Sequence, residues 1–361
     1  MRRLILILIT AAMPVAAAMS QEATKIIAGK YNEYAVSYLL PQTCVDIEIE
    51  TEHVVAKAGP YASYTQKYLG IQPLVTEDSD TWELIDAKAV LAGIPDTEVY
   101  YNIQLKGGSV PYIYVDKDGI LLSINAEPEA SAPVDTIEQK SVGQENVGEM
   151  DYALSLTEEM LNSGSDMKMA ELAAKQIYRL RESRTDLITG DSDQRPDGDA
   201  LKIMLRQIDE QERRLTAMFT GTVIRTRKTE TIRWIPEKEC SNLVVARISE
   251  KEGVVDKDNL SGRPLYLTME NIVRGEEPLD SKGNPLSLPK NAVIYNIPGR
   301  ADITLTYGGR ETDKQTLNLT QFGIKFGIAP SLFTDKKAPT YLILYPQTGA
   351  IRKVGETINA Q

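Results

Sequence analysis

Four carboxylates stand at every second position of "CVDIEIETEHVV": Asp46, Glu48, Glu50 and Glu52, followed by His53, the only histidine of the chain. Three chemistries could use that group: a metal site, an acid–base pair, or the solvated face of a strand. Residues i and i+2 of a strand lie about 6.5–7 Å apart and point the same way. The four acids therefore share one face, while Val45, Ile47, Ile49, Thr51 and His53 share the other. A cation needs oxygens about 2.0–2.6 Å from one point, which four side chains in a straight file do not supply. A glycosidase pair must flank a sugar bond, and parallel side chains on one open face do not. The spacing favours a solvated outer strand face, with His53 as hydrogen-bonded structure.

The remaining candidates are sparse. Tyr61, Tyr64 and Tyr68 stripe one side of a short helical piece, "GPYASYTQKYLG", as a core stripe or a sugar-stacking surface. The core reading is preferred, because only two tryptophans, Trp82 and Trp234, supply flat aromatic faces. "DSDQRPDGD" at 191–199 resembles a calcium loop, yet position six from Asp191 is Pro196 and position twelve is Lys202, where an EF-hand needs Gly and Glu. Asp197 or Asp199 capping a following helix accounts for the same residues. Arg179, Arg181 and Arg184 could clamp an anion, but Glu182, Asp186, Asp209, Glu210 and Glu212 make ion pairing the better account. There is no Walker loop, no G-x-G-x-x-G and no G-x-S-x-G, so no catalytic residue, cofactor or metal site is assigned.

Cys44 and Cys240 are the only cysteines. They could form one disulfide closing 196 residues of chain, or remain buried thiols, and spacing leaves both open. Two cysteines and one histidine rule out the usual four-ligand Cys/His zinc site.

The elements that position these residues follow from periodicity. The opening "MRRLILILITAAMPVAAAMSQE" has basic Arg2 and Arg3, an apolar run, and small Ala18 and Ser20 before Gln21. It reads as a secretory signal peptide over 1–20, so the expectation is an exported protein, periplasmic or surface-released, with no membrane insertion after signal removal. Without those residues the chain holds 38 basic and 51 acidic side chains, a net charge of −13. That disfavours nucleic acid and anionic lipid as partners.

Residues 27–125 read as an antiparallel β region, alternating with period two over 33–125 and including a hairpin that turns at Asp116-Lys117-Asp118-Gly119. Residues 126–150 lose the periodicity and read as a polar linker. Residues 151–221 hold a helical hairpin: one helix from the Ser165/Asp166 cap to Gly190, a second from "PDGDA" to Gly221. From 222 to 357 seven short apolar runs, "TVIRTRKTETIRWI" through "TYLILYP", predict a β-sandwich-like domain. The fold class is thus α+β, mainly β.

"LITGDSDQRPDGDALKIMLRQIDEQERRLTAMFTG" (187–221), "LPQTCVDIEIETEHVVAKAGPYASYTQKYLGI" and "QFGIKFGIAPSLF" with "ILYPQTGAIRKV" resemble the signatures of an uncharacterised family of exported Bacteroidota proteins, across roughly 30–355. That family carries a domain-of-unknown-function label. The resemblance implies export and a shared two-part β architecture, and it supplies no reaction, ligand or catalytic residue. Asp135-Thr136-Ile137 resembles the Asp-Ser/Thr-aliphatic acceptor pattern for O-glycosylation of exported proteins in that phylum, which makes Thr136 a candidate modification site.

The leading functional expectation is a non-catalytic binding or assembly component of the cell envelope, whose partner is an envelope protein or glycan. The rival is a carboxylate-dependent hydrolase acting on envelope glycans, which requires two carboxyl groups converging across a cleft. A calcium-stabilised adhesin-like module is the third.

Overall fold

The computed structural model describes residues 24–27, 35–104, 111–129, 155–191, 198–335 and 337–356. The signal segment 1–20, most of the 126–150 stretch and Thr136 lie outside the described residues. The fold is α+β and mainly β, with antiparallel sheets and four α-helices among the described residues.

Two sheets pack face to face. The first has three strands in the order β4 (Ser79–Pro95), β3 (Pro41–Lys57) and β8 (Thr222–Trp234). The second has the order β10 (Gly253–Val255), β9 (Cys240–Ser249), β11 (Arg263–Val273), β12 (Val293–Tyr307) and β13 (Arg310–Ile328). The alternation of β3 explains the join. Val45, Ile47 and Ile49 are fully buried and meet Ala246, Leu265, Leu267, Met269 and Ile303 of the facing sheet. Each such aliphatic side chain contributes about 1.5–3 kcal/mol by leaving water. The opposite face of β3 carries the acids, of which Asp46, Glu48 and Glu50 stay only partly buried.

A third sheet has the order β1 (Thr24–Ile27), β6 (Tyr112–Val115), β7 (Leu121–Ile124), β14 (Thr340–Leu344) and β15 (Ile351–Glu356). A two-stranded ribbon, β2 (Ala35–Tyr38) with β5 (Tyr101–Gln104), closes its core together with Val293 and Phe333. Strand pairing therefore crosses the polar 126–150 stretch twice: β8 pairs with β3, and β14 pairs with β7. The sandwich draws two of the three strands of one layer, β3 and β4, from the N-terminal β region. Periodicity reports which face of a strand is buried but not which strand lies beside it, so this interleaving is absent from the linear pattern.

Buried polar ties fix the junctions. The Tyr38 hydroxyl donates to the Ile294 carbonyl (2.9 Å) and accepts from the Ile294 N–H (2.7 Å). The Asn296 amide donates to the carbonyls of Pro41 (3.1 Å) and Thr348 (2.8 Å). Two runs that read as separate strands, "AVIYNI" and "ADITLTYGG", are one strand, β12, with a register shift at Ile297/Gly299. A Cβ at Gly299 would lie 2.5 Å from the Phe322 carbonyl oxygen, so only glycine fits this bend.

The helices sit where the caps place them. A short 3-10 turn, Ala62–Tyr64, leads into α1 (Thr65–Leu69), which ends at Gly70 in the left-handed conformation. After α2 (Glu158–Leu161), α3 (Asp166–Thr189) begins at Ser165, whose hydroxyl accepts from the Lys168 N–H, and stops at Gly190 with φ +81°. Helix α4 (Gly198–Thr220) returns antiparallel to it and delivers the chain into β8. Tyr61 is buried against Phe219 at 5.5 Å, and Tyr64 and Tyr68 pack on the same helical core, so the tyrosine stripe is structural. Arg181 pairs with Glu212 (2.6 Å) and Arg184 with Asp209 (2.8 Å) across the hairpin.

Candidate functional site

The acidic stripe lies on the outer face of the three-stranded sheet, and β8 places a basic stripe beside it. Asp46 stands opposite Arg233, Glu52 opposite Arg227, and Val54 opposite Arg225. Arg233 grips Asp46 through two bonds, Nε–Oδ1 at 2.7 Å and Nη2–Oδ2 at 2.8 Å. Arg225 Nη1 donates to Glu52 at 2.7 Å and Arg227 Nε at 3.2 Å, while Arg227 Nη1 reaches Glu50 at 3.3 Å. Glu48 faces Thr231 on one side and Lys88 on the other. The hydrogen bond from Arg225, with that from Arg227, holds the Glu52 carboxyl below the ordinary glutamate range, against the opposing effect of its burial. Donating to the Asp46 carboxylate pushes the Arg233 guanidinium above its ordinary value.

This is an ion-pair ladder. A general acid needs a carboxyl whose pKa is raised so that it holds a proton near neutrality. Glu52 is shifted the other way, and the group lies along an open sheet face. Sequence reasoning located the acids and their common face but missed their arginine partners. The signal was present in "TVIRTRKTETIRW", whose Arg225, Arg227 and Arg233 alternate in the same manner.

His53 lies on the other face of β3 from the acids. Its Nε2 is 2.6 Å from Asp80 Oδ1, and its ring stacks on Trp82 at 4.3 Å and 7°. Both partners come from β4, which pairs antiparallel with β3 and sets Trp82 opposite His53. Gly253 of β10 also approaches the indole, since a Cβ there would lie 3.1 Å from the ring. The Trp82 backbone N–H donates to the Glu250 carbonyl at 2.8 Å. An imidazole oriented by a carboxylate is two-thirds of a nucleophilic triad, and no serine or cysteine is bonded to it among the described residues. The His53 stack thus occupies one ring face of Trp82.

The cysteines are free thiols, Cys44 buried and Cys240 half-buried. Cys44 shares the face of β3 that carries Asp46, whereas Cys240 stands beside Met269 and packs on the sandwich core. They occupy opposite sides of β3, and in this arrangement no bond joins them. Burial pushes both thiols up, away from the thiolate form that attacks substrates or binds metals.

Asp116 is buried in the β6–β7 turn, where it accepts from the N–H groups of Asp118 (2.9 Å) and Ile120 (2.8 Å); burial raises its pKa. Its role is to close the turn. Asp199, at the start of α4, pairs with Lys202 at 3.0 Å. Among the described residues no three His, Cys, Asp or Glu side chains converge as a metal site would require. Two open grooves of about 510 and 450 Å³ flank the helices, lined by residues such as Glu158, Ser163 and Lys168 in one and Arg181, Asp209 and Thr216 in the other. Neither contains the acidic stripe or His53. No helix among the described residues is long and apolar enough to cross a membrane.

The family described as "Domain of unknown function (DUF4831)" matches residues 34–352, which include every strand of the sandwich and the whole helical hairpin. The chain belongs to that family. No curated protein and no solved structure matches it. Membership therefore joins the chain to relatives without assigning a reaction, and the geometry of its own residues carries the functional reading.

Proposed function

We propose that this member of the DUF4831 family is an exported, non-catalytic binding or assembly component of the cell envelope. The observation that carries the reading is the engagement of Asp46, Glu50 and Glu52 by Arg233, Arg227 and Arg225 on an open sheet face. This group of acidic side chains is thereby committed to holding two strands together. The signal-like segment at 1–20 supports export. The His53 stack on a ring face of Trp82 favours a protein partner over a glycan.

The test pairs two measurements. Cross-linking in intact cells followed by mass spectrometry is expected to capture a defined envelope partner, and the purified protein is expected to leave envelope glycans uncleaved. Glycan turnover that disappears in Glu52→Gln, with no partner captured, would overturn the reading in favour of a carboxylate-dependent hydrolase.

A further inference from the structure

The two edges of the three-stranded sheet are treated differently. On β4, outward backbone groups find partners at two places: the Ala89 N–H donates to the Asp313 carboxylate at 2.8 Å and its carbonyl accepts from the Gln315 amide, while the Trp82 backbone N–H donates to the Glu250 carbonyl. On β8, no strand pairs with the outer edge among the described residues. Which β8 groups point outward follows from the ladder. In antiparallel sheets, paired residues alternate between bonding each other and bonding away. Ala89 bonds away from β3, so Ile47 opposite it must bond toward β8, and Ile232 opposite Ile47 bonds back. The alternate residues Arg225, Arg227, Thr229, Thr231 and Arg233 then aim their N–H and C=O groups outward. Their side chains stand on the face of the acidic stripe. All but the half-buried Thr229 are exposed.

This edge is long and basic. It runs over 13 residues that hold four cations and one anion, on a chain whose net charge is −11. Charged side chains on an edge block indiscriminate strand pairing. A second copy of β8 in the register centred on Thr229 would set Arg225 against Arg233 at both ends, and like charges directly opposite destabilise a pair. A strand with acids at alternate positions meets the reverse situation, as β3 itself shows on the inner edge. Each guanidinium carries five N–H donors, and Arg225 uses only Nη1 on Glu52.

We propose that the outer edge of β8 docks an extended segment of another polypeptide with Asp or Glu at alternate positions, added as a fourth strand beside Arg225, Arg227 and Arg233. Main-chain bonds to the outward groups supply the affinity, and the arginine row supplies the selection and fixes the register. The inference deepens the binding reading above and rests on it.

The experiment uses the full-length protein and a fluorescein-labelled peptide of the sequence VDIEIETE, with VKIKIKTK as its charge-reversed counterpart. Anisotropy is expected to show saturable binding of the acidic peptide that weakens with added salt, and none of the basic one. Thr229→Pro and Thr231→Pro each remove an outward N–H without breaking a β3–β8 bond, so both are expected to weaken binding about tenfold or more with an unchanged urea midpoint. Should the proline variants unfold, hydrogen exchange on the parent decides: the amides of Arg227, Thr229 and Thr231 gain protection in the complex. Absent binding at millimolar peptide, equal binding of the basic peptide, folded proline variants that bind like the parent, or unaltered exchange would each overturn the proposal. Failure of the peptide alongside a partner captured by cross-linking refutes the edge alone; glycan turnover with no partner refutes the reading beneath it.

Discussion

Replacing Glu52 with glutamine keeps the side chain's shape and removes its charge. The carboxylate is 11% exposed, while its partners Arg225 and Arg227 are 50% and 45% exposed. Exposed pairs contribute about 0–1 kcal/mol, and breaking a fully buried pair costs about 3–5 kcal/mol. Here the acid is buried but both guanidiniums reach water, and Arg227 retains Glu50. The expected loss is therefore about 1–2 kcal/mol at pH 7, read by urea unfolding. Its pH dependence has a definite sign. The carboxyl is held below its ordinary value of 4.5, so its contribution is fully present above that pH and is lost as the pH falls through the folded value. The Glu52→Gln deficit should shrink over the same range and vanish once the parent's carboxyl is protonated. A double-mutant cycle with Arg225→Gln should return a coupling of about 0.5–1.5 kcal/mol. Equal stability of parent and Glu52→Gln at pH 7, or a deficit that persists into acid, would refute the ion-pair ladder.

Other consequences concern the joins and the core. Tyr38→Phe leaves the Ile294 N–H and C=O without their hydroxyl partner at a buried seam, which should cost about 1–3 kcal/mol in urea unfolding. Ile47→Ala empties a fully buried position of the sandwich and should cost about 2–5 kcal/mol, whereas Ile188→Ala, on the exposed end of α3, should change stability by less than about 0.5 kcal/mol. Alkylation under native, non-reducing conditions should label half-buried Cys240 before buried Cys44, and denaturation without reductant should expose two thiols; protein that takes up no label when denatured would show a bridge instead.

Local features were legible where one residue type has one physical use. Ser165 and Gly190 bracket α3 because a hydroxyl satisfies the first free N–H groups and glycine tolerates a positive φ at the last turn. The turn at Asp116–Gly119 was legible for the same reason. The face of β3 that carries the acids followed from alternation alone. What alternation does not encode is the neighbour. Arg233 is 187 residues from Asp46, and nothing local to either announces the other. Strand β4 was obscured because "SDTWELIDAKAVLAGIP" mixes Asp, Ala, Lys and Gly into a strand whose geometry comes from β3 beside it and from Asp313 and Gln315 at its edge. The couple of His53 with Asp80 and Trp82 stayed hidden with it.

The central claim is the register of β3 against β8, which turns a file of acids into a ladder of ion pairs. Glu48 and Thr231 are directly opposed, and by the alternation deduced from Ala89 they form a non-bonded pair. Such pairs bring Cα atoms to about 4.5 Å, within the span of a disulfide. With Cys44→Ala and Cys240→Ala as background, Glu48→Cys with Thr231→Cys should close a bridge under mild oxidation, seen as two thiols that disappear and return on reduction. Thiols that stay free, or a bridge that forms only when Thr229→Cys replaces Thr231→Cys, would contradict the register and the ladder with it.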